Sequence, residues 1–228
     1  MEAENKGVKT YMRIRKKKWA LPELEECGYY YPLPGEYKGN WQAAFSKKQP
    51  LHLDLGCGKG VFLADCAFAH PEVNFIGIDI SVDILGVARR NITSRYGERP
   101  VENIALFSYN IEKLPEVFGA EEGISRIYVN FCNPWPKARA HKKRLTHPNQ
   151  LLVYRQLLAP AGEIWFKTDD DDLYLATRRY FAESGFTALL DTDDLHARQD
   201  AENFFSEHEH MFTDRGIRTK AIRVRVET

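Results

Sequence analysis

Several patterns that would assign a chain to a class at once are missing from this sequence. Its 228 residues hold only four cysteines, with no C-x-x-C pair and no histidine at ligand spacing. Neither a disulfide framework nor a zinc site is therefore indicated, and we expect free, buried thiols at Cys27, Cys57, Cys66 and Cys132. No stretch approaches the ~20 apolar residues of a membrane helix, and no signal-peptide core follows the basic N-terminus. We expect a cytoplasmic protein that has no membrane partner.

Net charge is also missing, because 32 basic side chains equal 32 acidic ones. The charges are nevertheless segregated along the chain. Basic residues crowd the first 18 residues, residues 137–144 and residues 215–225, whereas acidic residues gather at 169–172 and 191–194. A neutral chain of this kind can present a basic face to a polyanion.

From residue 50 onward, short apolar runs alternate with longer amphipathic ones. This pattern is typical of an α/β domain with a mostly parallel sheet and helices on both faces. At about 150 residues per domain, the length favours one domain with an extension. We assign residues 1–49 to an N-terminal basic and aromatic extension and residues 50–228 to the main domain. Strands are predicted at 51–55, 73–79, 104–108, 125–131, 162–168 and 186–191, helices at 60–69, 82–96, 149–158 and 173–184, and an antiparallel edge strand at 219–227.

The segment 51–60 indicates a strand that ends in a G-x-G-x-G loop and opens a helix. Glycines at Gly56, Gly58 and Gly60 allow the backbone to approach a ligand closely, and the helix N-terminus offers free N–H donors. A plain strand-to-helix turn is the alternative. The loop therefore predicts a nucleotide-type site only in combination with other residues.

Asp79 supplies that second signal, since it ends the next strand about 20 residues beyond the glycines, where a carboxylate can accept both hydroxyls of a ribose. The nicotinamide fingerprint needs a third glycine where this chain has Val61, so the spacing favours S-adenosylmethionine (SAM) over a dinucleotide. Asp54 is a candidate partner for the methionine ammonium, with a strand-end cap as the alternative. Asn110 is a candidate partner for the adenine edge.

Residues 128–146 carry the most specific pattern, YVNFCNPWPKARAHKKRLT. This segment resembles the tRNA (guanine-N7)-methyltransferase family, in which a strand is followed by Asp-Pro-Trp-Pro-Lys and a basic loop that ends in Arg-Leu. With the glycine-rich loop, Phe-Lys-Thr-Asp at 166–169 and Ser-Glu-His-Glu at 206–209, the resemblance covers residues 50–226 in family order. It implies a Rossmann-like class I SAM methyltransferase that methylates N7 of a variable-loop guanosine in tRNA. It implies no obligate protein partner, and a monomer or homodimer.

The resemblance also implies a role for each matching residue. The cofactor-binding positions are Asp54, Gly56, Gly58, Gly60, Asp79, Asn110 and Asn133, of which Asn133 is also the position treated as catalytic. The substrate-binding positions are Lys137, Asp169, Ser206, Glu207, His208 and Glu209. The RNA-binding positions are Arg139, His141, Lys142, Lys143 and Arg144. No metal is expected, because His208 and His210 have no third ligand at fixed spacing.

The chain departs from the family at some of these positions. The family has Glu where this chain has Asp54 and Asp79, Thr-x-Tyr-Glu at 206–209, and Asp where this chain has Asn133. Guanine N7 carries a lone pair and needs no general base, so positioning supplies most of the acceleration. An anion beside the purine would still stabilise the positive charge that develops on it. We expect Asn133 to weaken activity rather than abolish it, with Asp169 or Glu209 supplying nearby negative charge.

Other functions stay open on the sequence alone. The chain could be a catalytically silent tRNA-binding protein that lost the charge at position 133, and a SAM methyltransferase with a small-molecule substrate would leave the basic loop unexplained. The residues at 137–144 could be a solvated face, and the basic N-terminal run either a tRNA-binding arm or a solvated tail. In the Pro-Trp-Pro segment, we expect the prolines to hold the loop extended and Trp135 to pack against the core.

Overall fold

The structure of the protein, a computed structural model, describes residues 16–227. Four residues of the predicted basic arm, Lys6, Lys9, Arg13 and Arg15, lie outside the described residues. The helices are α1 (Ala20–Glu25), α2 (Val61–Ala69), α3 (Val82–Tyr96), α4 (Pro148–Leu157), α5 (Asp171–Glu183) and α6 (Glu207–Thr213). The strands are β1 (Leu51–Leu55), β2 (Asn74–Asp79), β3 (Ile104–Ser108), β4 (Ile124–Asn130), β5 (Leu158–Thr168), β6 (Phe186–Thr192) and β7 (Lys220–Val226). Between residues 16 and 227, none of the helices combines the length and the apolar character needed to cross a bilayer.

Within residues 16–227 the seven strands form one sheet in the order β3-β2-β1-β4-β5-β7-β6. Strands β1 to β5 pair in parallel, and β7 runs antiparallel to both of its neighbours. The predicted α/β fold with a mostly parallel sheet is confirmed. The predicted edge position of β7 is wrong, since β7 lies between β5 and β6. The reason is that Ala221, Ile222 and Val224 are buried and both backbone edges of the strand are hydrogen-bonded.

Helices cover both faces of the sheet. On one face α2 and α3 pack against the strands through Phe62, Leu85 and Ile92. On the other face α4 and α5 pack through Leu151 and Phe181. The strand order reverses between β1 and β4, and in open α/β sheets ligands bind beside the carboxyl ends of the strands at such a point.

The predicted acidic cap of α5 is present. Asp170 precedes the helix, and its Oδ1 accepts the N–H of Leu173 at 2.8 Å. Asp171 and Asp172 occupy the first helical turn, where negative charge is favoured by the helix dipole. The acidic run at 169–172 is therefore largely explained by the start of this helix.

The extension preceding β1 packs onto the β3 side of the sheet. Trp41 is buried, stacks on Phe107 with ring centroids 5.0 Å apart, and donates its Nε1–H to the carbonyl of Val117 at 2.8 Å. Tyr30 forms an isolated parallel bridge with Leu106 of β3. The described part of the extension therefore covers this edge of the sheet.

The cysteines are free, as expected. Cys27, Cys57 and Cys66 are buried, whereas Cys132 is only partly buried. Burial raises the pKa of the Cys66 thiol to about 12, so that thiol stays protonated at neutral pH. These residues contribute to the packing of the core.

Candidate active site

A cavity of about 460 Å³ opens at the carboxyl ends of β1, β2 and β4, where the strand order reverses. Besides the loop glycines, five of its lining residues were predicted from the sequence as cofactor or substrate positions on distant segments. The lining residues include Asp54, Gly56, Gly58, Gly60, Asp79, Asn130, Phe131, Ser206, Glu207, His208 and Met211. The fold thus brings together the glycine-rich loop, two carboxylates and the N-terminal turn of α6.

Two of the loop glycines serve different physical purposes. Gly56 has a φ of 77°, and a Cβ built there would meet no atom within 4 Å, so the backbone borders open space. Gly60 has a φ of 69°, and its Cβ would lie 2.8 Å from the Cβ of Ala88. Gly56 therefore leaves room for a ligand, whereas Gly60 allows α2 and α3 to pack closely.

Asp79 is held at the cavity wall by backbone donors. Its Oδ2 accepts the N–H of Gly58 at 3.1 Å, and its Oδ1 accepts the N–H of Ser81 at 2.9 Å. Burial raises the pKa of the carboxyl, and these N–H groups oppose that shift. Each carboxylate oxygen keeps lone-pair capacity, so Asp79 can still accept hydrogen bonds from a pair of hydroxyls.

Asp54 lies deeper, at the end of β1, and is 2% exposed. Burial raises its pKa to about 7, Lys167 opposes that shift, and Asp79 adds to it. The side chain of Asn130 is buried beside Asp54 at the cavity wall, where its hydrogen bond to the carboxyl lowers the pKa of Asp54. A buried carboxyl and a neighbouring amide at one end of a large cavity suit a ligand with an ammonium group and polar oxygens. The described residues therefore fit SAM.

The other predicted cofactor and substrate residues lie outside the set of described residues that line the cavity, namely Asn110, Asn133, Lys137, Asp169 and Glu209. The side chain of Asn110 accepts the N–H of Glu112 at 3.0 Å and caps the 3₁₀ turn Ile111–Glu116. Asp169 follows β5, and its backbone carbonyl accepts a hydrogen bond from Lys220 Nζ at 3.0 Å. Their assigned contacts with adenine and guanine stay predictions.

The segment after β4 turns sharply rather than staying extended. Phe131 and Trp135 have φ values of 50° and 45°, in the left-handed region that non-glycine residues rarely adopt. The Oδ1 of Asn133 accepts the N–H of Trp135 at 3.1 Å, which favours the turn over the predicted extended backbone. Trp135 is partly buried, and the ammonium of Lys143 lies 5.1 Å from its ring centroid.

Most of the predicted RNA-binding residues follow in the exposed 3₁₀ turn Ala138–Lys143. Lys137, Arg139, Lys142 and Lys143 are exposed, and no ion pair joins any of them to another residue in the range 16–227. Arg144 differs, since it is 3% exposed and donates its Nε–H to the carbonyl of Pro134 at 2.7 Å. Arg144 supports the turn from inside and does not face solvent.

Helix α6 forms the opposite wall of the cavity. Ser206, Glu207 and His208 line it, and Lys59 of the glycine-rich loop pairs with Glu207 at 2.6 Å across the opening. Glu209 is fully buried and pairs with Lys167 at 2.6 Å. Glu209 therefore supports α6 from behind and is not a lining residue.

Sequence reasoning missed several residues of this region, among them Asn130, Phe131, Lys59 and Lys167. Asn130 is a polar residue that directly follows the buried residues 127–129 of β4, and Lys167 is a lysine that follows the apolar residues 164–166 of β5. A polar residue in such a position needs a partner, and that requirement is the signal by which both could have been found.

A glycine-rich loop after β1, a carboxylate at the end of β2 and a cavity at the point of strand reversal define a SAM-dependent methyltransferase of the Rossmann-like class. Residues 48–221 match the family model described as "Putative methyltransferase". A tRNA (guanine-N(7)-)-methyltransferase of Clostridium botulinum (strain Eklund 17B / Type B) is 48% identical over 92% of this chain and 96% of its own. One from Desulfitobacterium hafniense (strain DSM 10664 / DCB-2) is 46% identical over 92% and 96%. The chain belongs to the tRNA (guanine-N7)-methyltransferase family.

Solved structures agree on the fold. The 16S rRNA methyltransferase KamB superposes with a TM-score of 0.60 at 12% identity, over 83% of this chain and 93% of that one. A structure described as an antibiotic-related methyltransferase gives 0.57 at 18% identity, over 95% and 96%. At this level of identity the likeness concerns the fold alone.

Proposed function

We propose that the protein transfers the methyl group of SAM to N7 of a variable-loop guanosine in tRNA. The observation that carries the proposal is that the basic turn follows the cavity wall along the chain. Phe131 belongs to the cavity wall, and the exposed cations at 137–143 follow directly along the chain. The names of the two bacterial relatives support the same activity.

Different residues of the cavity bind different parts of SAM. Asp54 and Asn130 provide an anionic and polar end for the methionine part, and Asp79 provides acceptors for the ribose hydroxyls. SAM supplies an electrophilic methyl group on a sulfonium. The protein has to hold that methyl in line with the incoming nitrogen and exclude competing nucleophiles, and positioning of this kind accounts for a large share of the acceleration.

The reaction needs no general base, because guanine N7 carries an in-plane lone pair and no proton. Charge stabilisation is the second requirement, since positive charge develops on the purine. Glu209 does not meet it, because its charge is already paired with the buried Lys167. The expectation that Glu209 replaces the charge missing at Asn133 is therefore wrong, and Asp169 is the carboxylate that we propose for this role.

The exposed cations fit a polyanion. Lys137, Arg139, Lys142 and Lys143 can pair with phosphates, and His141 lies partly buried among them. Phosphate contacts give affinity that depends steeply on salt and little on sequence. The identity of the target base must then be read from the shape of the tRNA and an exposed loop nucleotide.

A direct experiment tests the proposal. The purified chain is incubated with SAM and unmodified tRNA transcripts, and the RNA is digested to nucleosides and analysed by mass spectrometry for 7-methylguanosine. We expect this product with the wild-type transcript and its loss when the variable-loop guanosine is replaced by adenosine. Binding of tRNA without any 7-methylguanosine would favour a silent tRNA-binding protein instead.

A further inference from the structure

A buried lysine lies on β5 behind the cavity. Lys167 is 6% exposed, and its ammonium uses all three of its donors inside the protein. It donates to Glu209 Oε2 at 2.6 Å, to Asn203 Oδ1 at 2.9 Å and to the carbonyl of Phe204 at 2.8 Å. A single side chain of the sheet therefore holds the segment that leads into α6.

Glu209 is fully engaged from the other side. Its Oε2 accepts Lys167 and the N–H of Ser206 at 3.3 Å. Its Oε1 accepts Asn203 Nδ2 at 2.7 Å and lies 2.8 Å from His196 Nε2. Ser206 Oγ in turn accepts the N–H of Glu209 at 3.1 Å, which completes a capping box. A carboxylate with four partners and no exposed surface has no oxygen left for a substrate.

Few other contacts can fix α6 as firmly. The helix has only seven residues, so its own hydrogen bonds do not make it stable in isolation. The pair between Lys59 and Glu207 crosses the cavity mouth, but both side chains are more than a third exposed, and such pairs contribute little. The buried ion pair is thus the main polar attachment of this wall to the sheet.

We propose that Lys167 and Glu209 are positioning residues that hold the N-terminal turn of α6 as a wall of the SAM cavity. Glu209 acts through this turn and makes no contact with the guanine. Ser206, Glu207 and His208 occupy their places in the wall because the pair behind them is intact. The inference rests on the proposed function for its substrate, and its cofactor part can be measured without tRNA.

The test compares Lys167→Met, Glu209→Gln and the double variant. We expect each single variant to raise the Kd for SAM by about tenfold, measured by calorimetry without tRNA, since an unpaired buried partner disturbs α6. The double variant removes the unpaired charge, so its Kd should be lower than that of Lys167→Met. At saturating SAM, the methylation rate of Glu209→Gln should stay within about threefold of wild type, because no transition-state contact is lost.

Arg126→Met provides a matched control. Arg126 lies on β4 and forms a partly buried ion pair with Glu163 at 3.0 Å, away from α6. This variant should lower the melting temperature and leave the Kd for SAM unchanged. If Lys167→Met fails to fold, Glu209→Gln and the double variant test the same proposal.

Two results would overturn the inference. One is a Glu209→Gln variant with unchanged SAM affinity and a large loss of methylation rate, which would make Glu209 a substrate contact. The other is a double variant whose change in the free energy of SAM binding equals the sum of the changes in the two single variants. Failure of the proposed function is a separate outcome, because wild-type protein would then bind SAM through the same wall and yield no 7-methylguanosine.

Discussion

Asn133 accepts the backbone N–H of Trp135 through its side-chain oxygen, at 3.1 Å. Because that donor requires an acceptor, the orientation of the amide is set, with Oδ1 directed into the turn. A carboxylate at this position could accept the same N–H. Asp and Asn therefore serve equally as the acceptor in this turn, and they differ in charge and in the N–H donors that only the amide has.

Asn133→Asp should consequently raise methyl transfer without disturbing the loop. A negative charge near the purine stabilises the positive charge of the transition state, and we expect a gain of about tenfold. The measurement is the single-turnover rate of 7-methylguanosine formation at saturating SAM. Asn133→Ala removes the acceptor for the N–H of Trp135, and this variant should be slower than wild type. A rate for Asn133→Asp equal to that of wild type would refute the charge argument.

SAM binding should depend on pH through Asp54. The pKa of this buried carboxyl is about 7, so in the free protein it is largely protonated below that value. An ammonium ligand favours the ionised form, and the Kd for SAM should fall as the pH rises from about 5.5 to about 7.5. Asp54→Asn should bind more weakly and lose this dependence. Calorimetry at several pH values measures the Kd for SAM. If Asp54→Asn keeps the pH dependence of the wild type, Asp54 is not the source of that dependence.

The same residue should reduce the stability of the free protein at neutral pH. Its pKa is higher in the folded state than the ordinary value of 3.8, so the folded state is favoured at low pH, and this contribution is lost as the pH rises towards 7. Without SAM, Asp54→Asn should therefore melt at or above the wild-type temperature at pH 7.5. A lower melting temperature would show that the ionised carboxyl is stabilising in the free protein.

The basic turn should determine the salt dependence of tRNA binding. Replacing Lys142 and Lys143 together by alanine removes two exposed cations and should reduce the slope of log K against log salt by about one to two. Lys113→Ala is the control, because Lys113 is exposed but paired with Glu116 at 3.3 Å. Filter binding of one tRNA at several salt concentrations gives the slopes. Equal slopes for the double variant and wild type would place the phosphate contacts elsewhere.

Gly60→Ala should be more harmful than an alanine at another left-handed glycine. Gly60 has a φ of 69° and its Cβ would press against Ala88 at 2.8 Å, whereas Gly123 has a φ of 56° and a nearest neighbour at 3.9 Å. Both substitutions carry backbone strain of about 1 kcal/mol, and only Gly60→Ala adds overpacking of about 1–3 kcal/mol. Urea unfolding of the two variants measures the difference. Equal losses of unfolding free energy in the two variants would mean that α2 and α3 move apart without losing stability.

Much of this fold could be predicted from residue patterns. The strands β1 to β5 contain short apolar runs, and the glycine-rich loop between β1 and α2 has a recognisable spacing. Asp54 and Asp79 follow from their places at the ends of β1 and β2. Position relative to a strand end is a local property, and a sequence displays it directly.

The missed features depend on distant partners. Helix α6 has the sequence EHEHMFT, without apolar periodicity, and it is held by a pair of residues 42 apart in the chain. Arg144 belongs to a basic run yet is buried, because Pro134 offers it a carbonyl acceptor. The interior place of β7 likewise follows from β6 pairing with its far side. Such relationships exist only once the chain has folded.

The contact between Trp41 and Phe107 bears on how the molecule tolerates truncation. A fragment that begins at residue 50 would leave the ring of Phe107 and the backbone edge of β3 uncovered. An unprotected strand edge next to apolar side chains invites pairing with other copies. We expect such a fragment to aggregate, whereas a fragment that begins just before α1 should remain monodisperse.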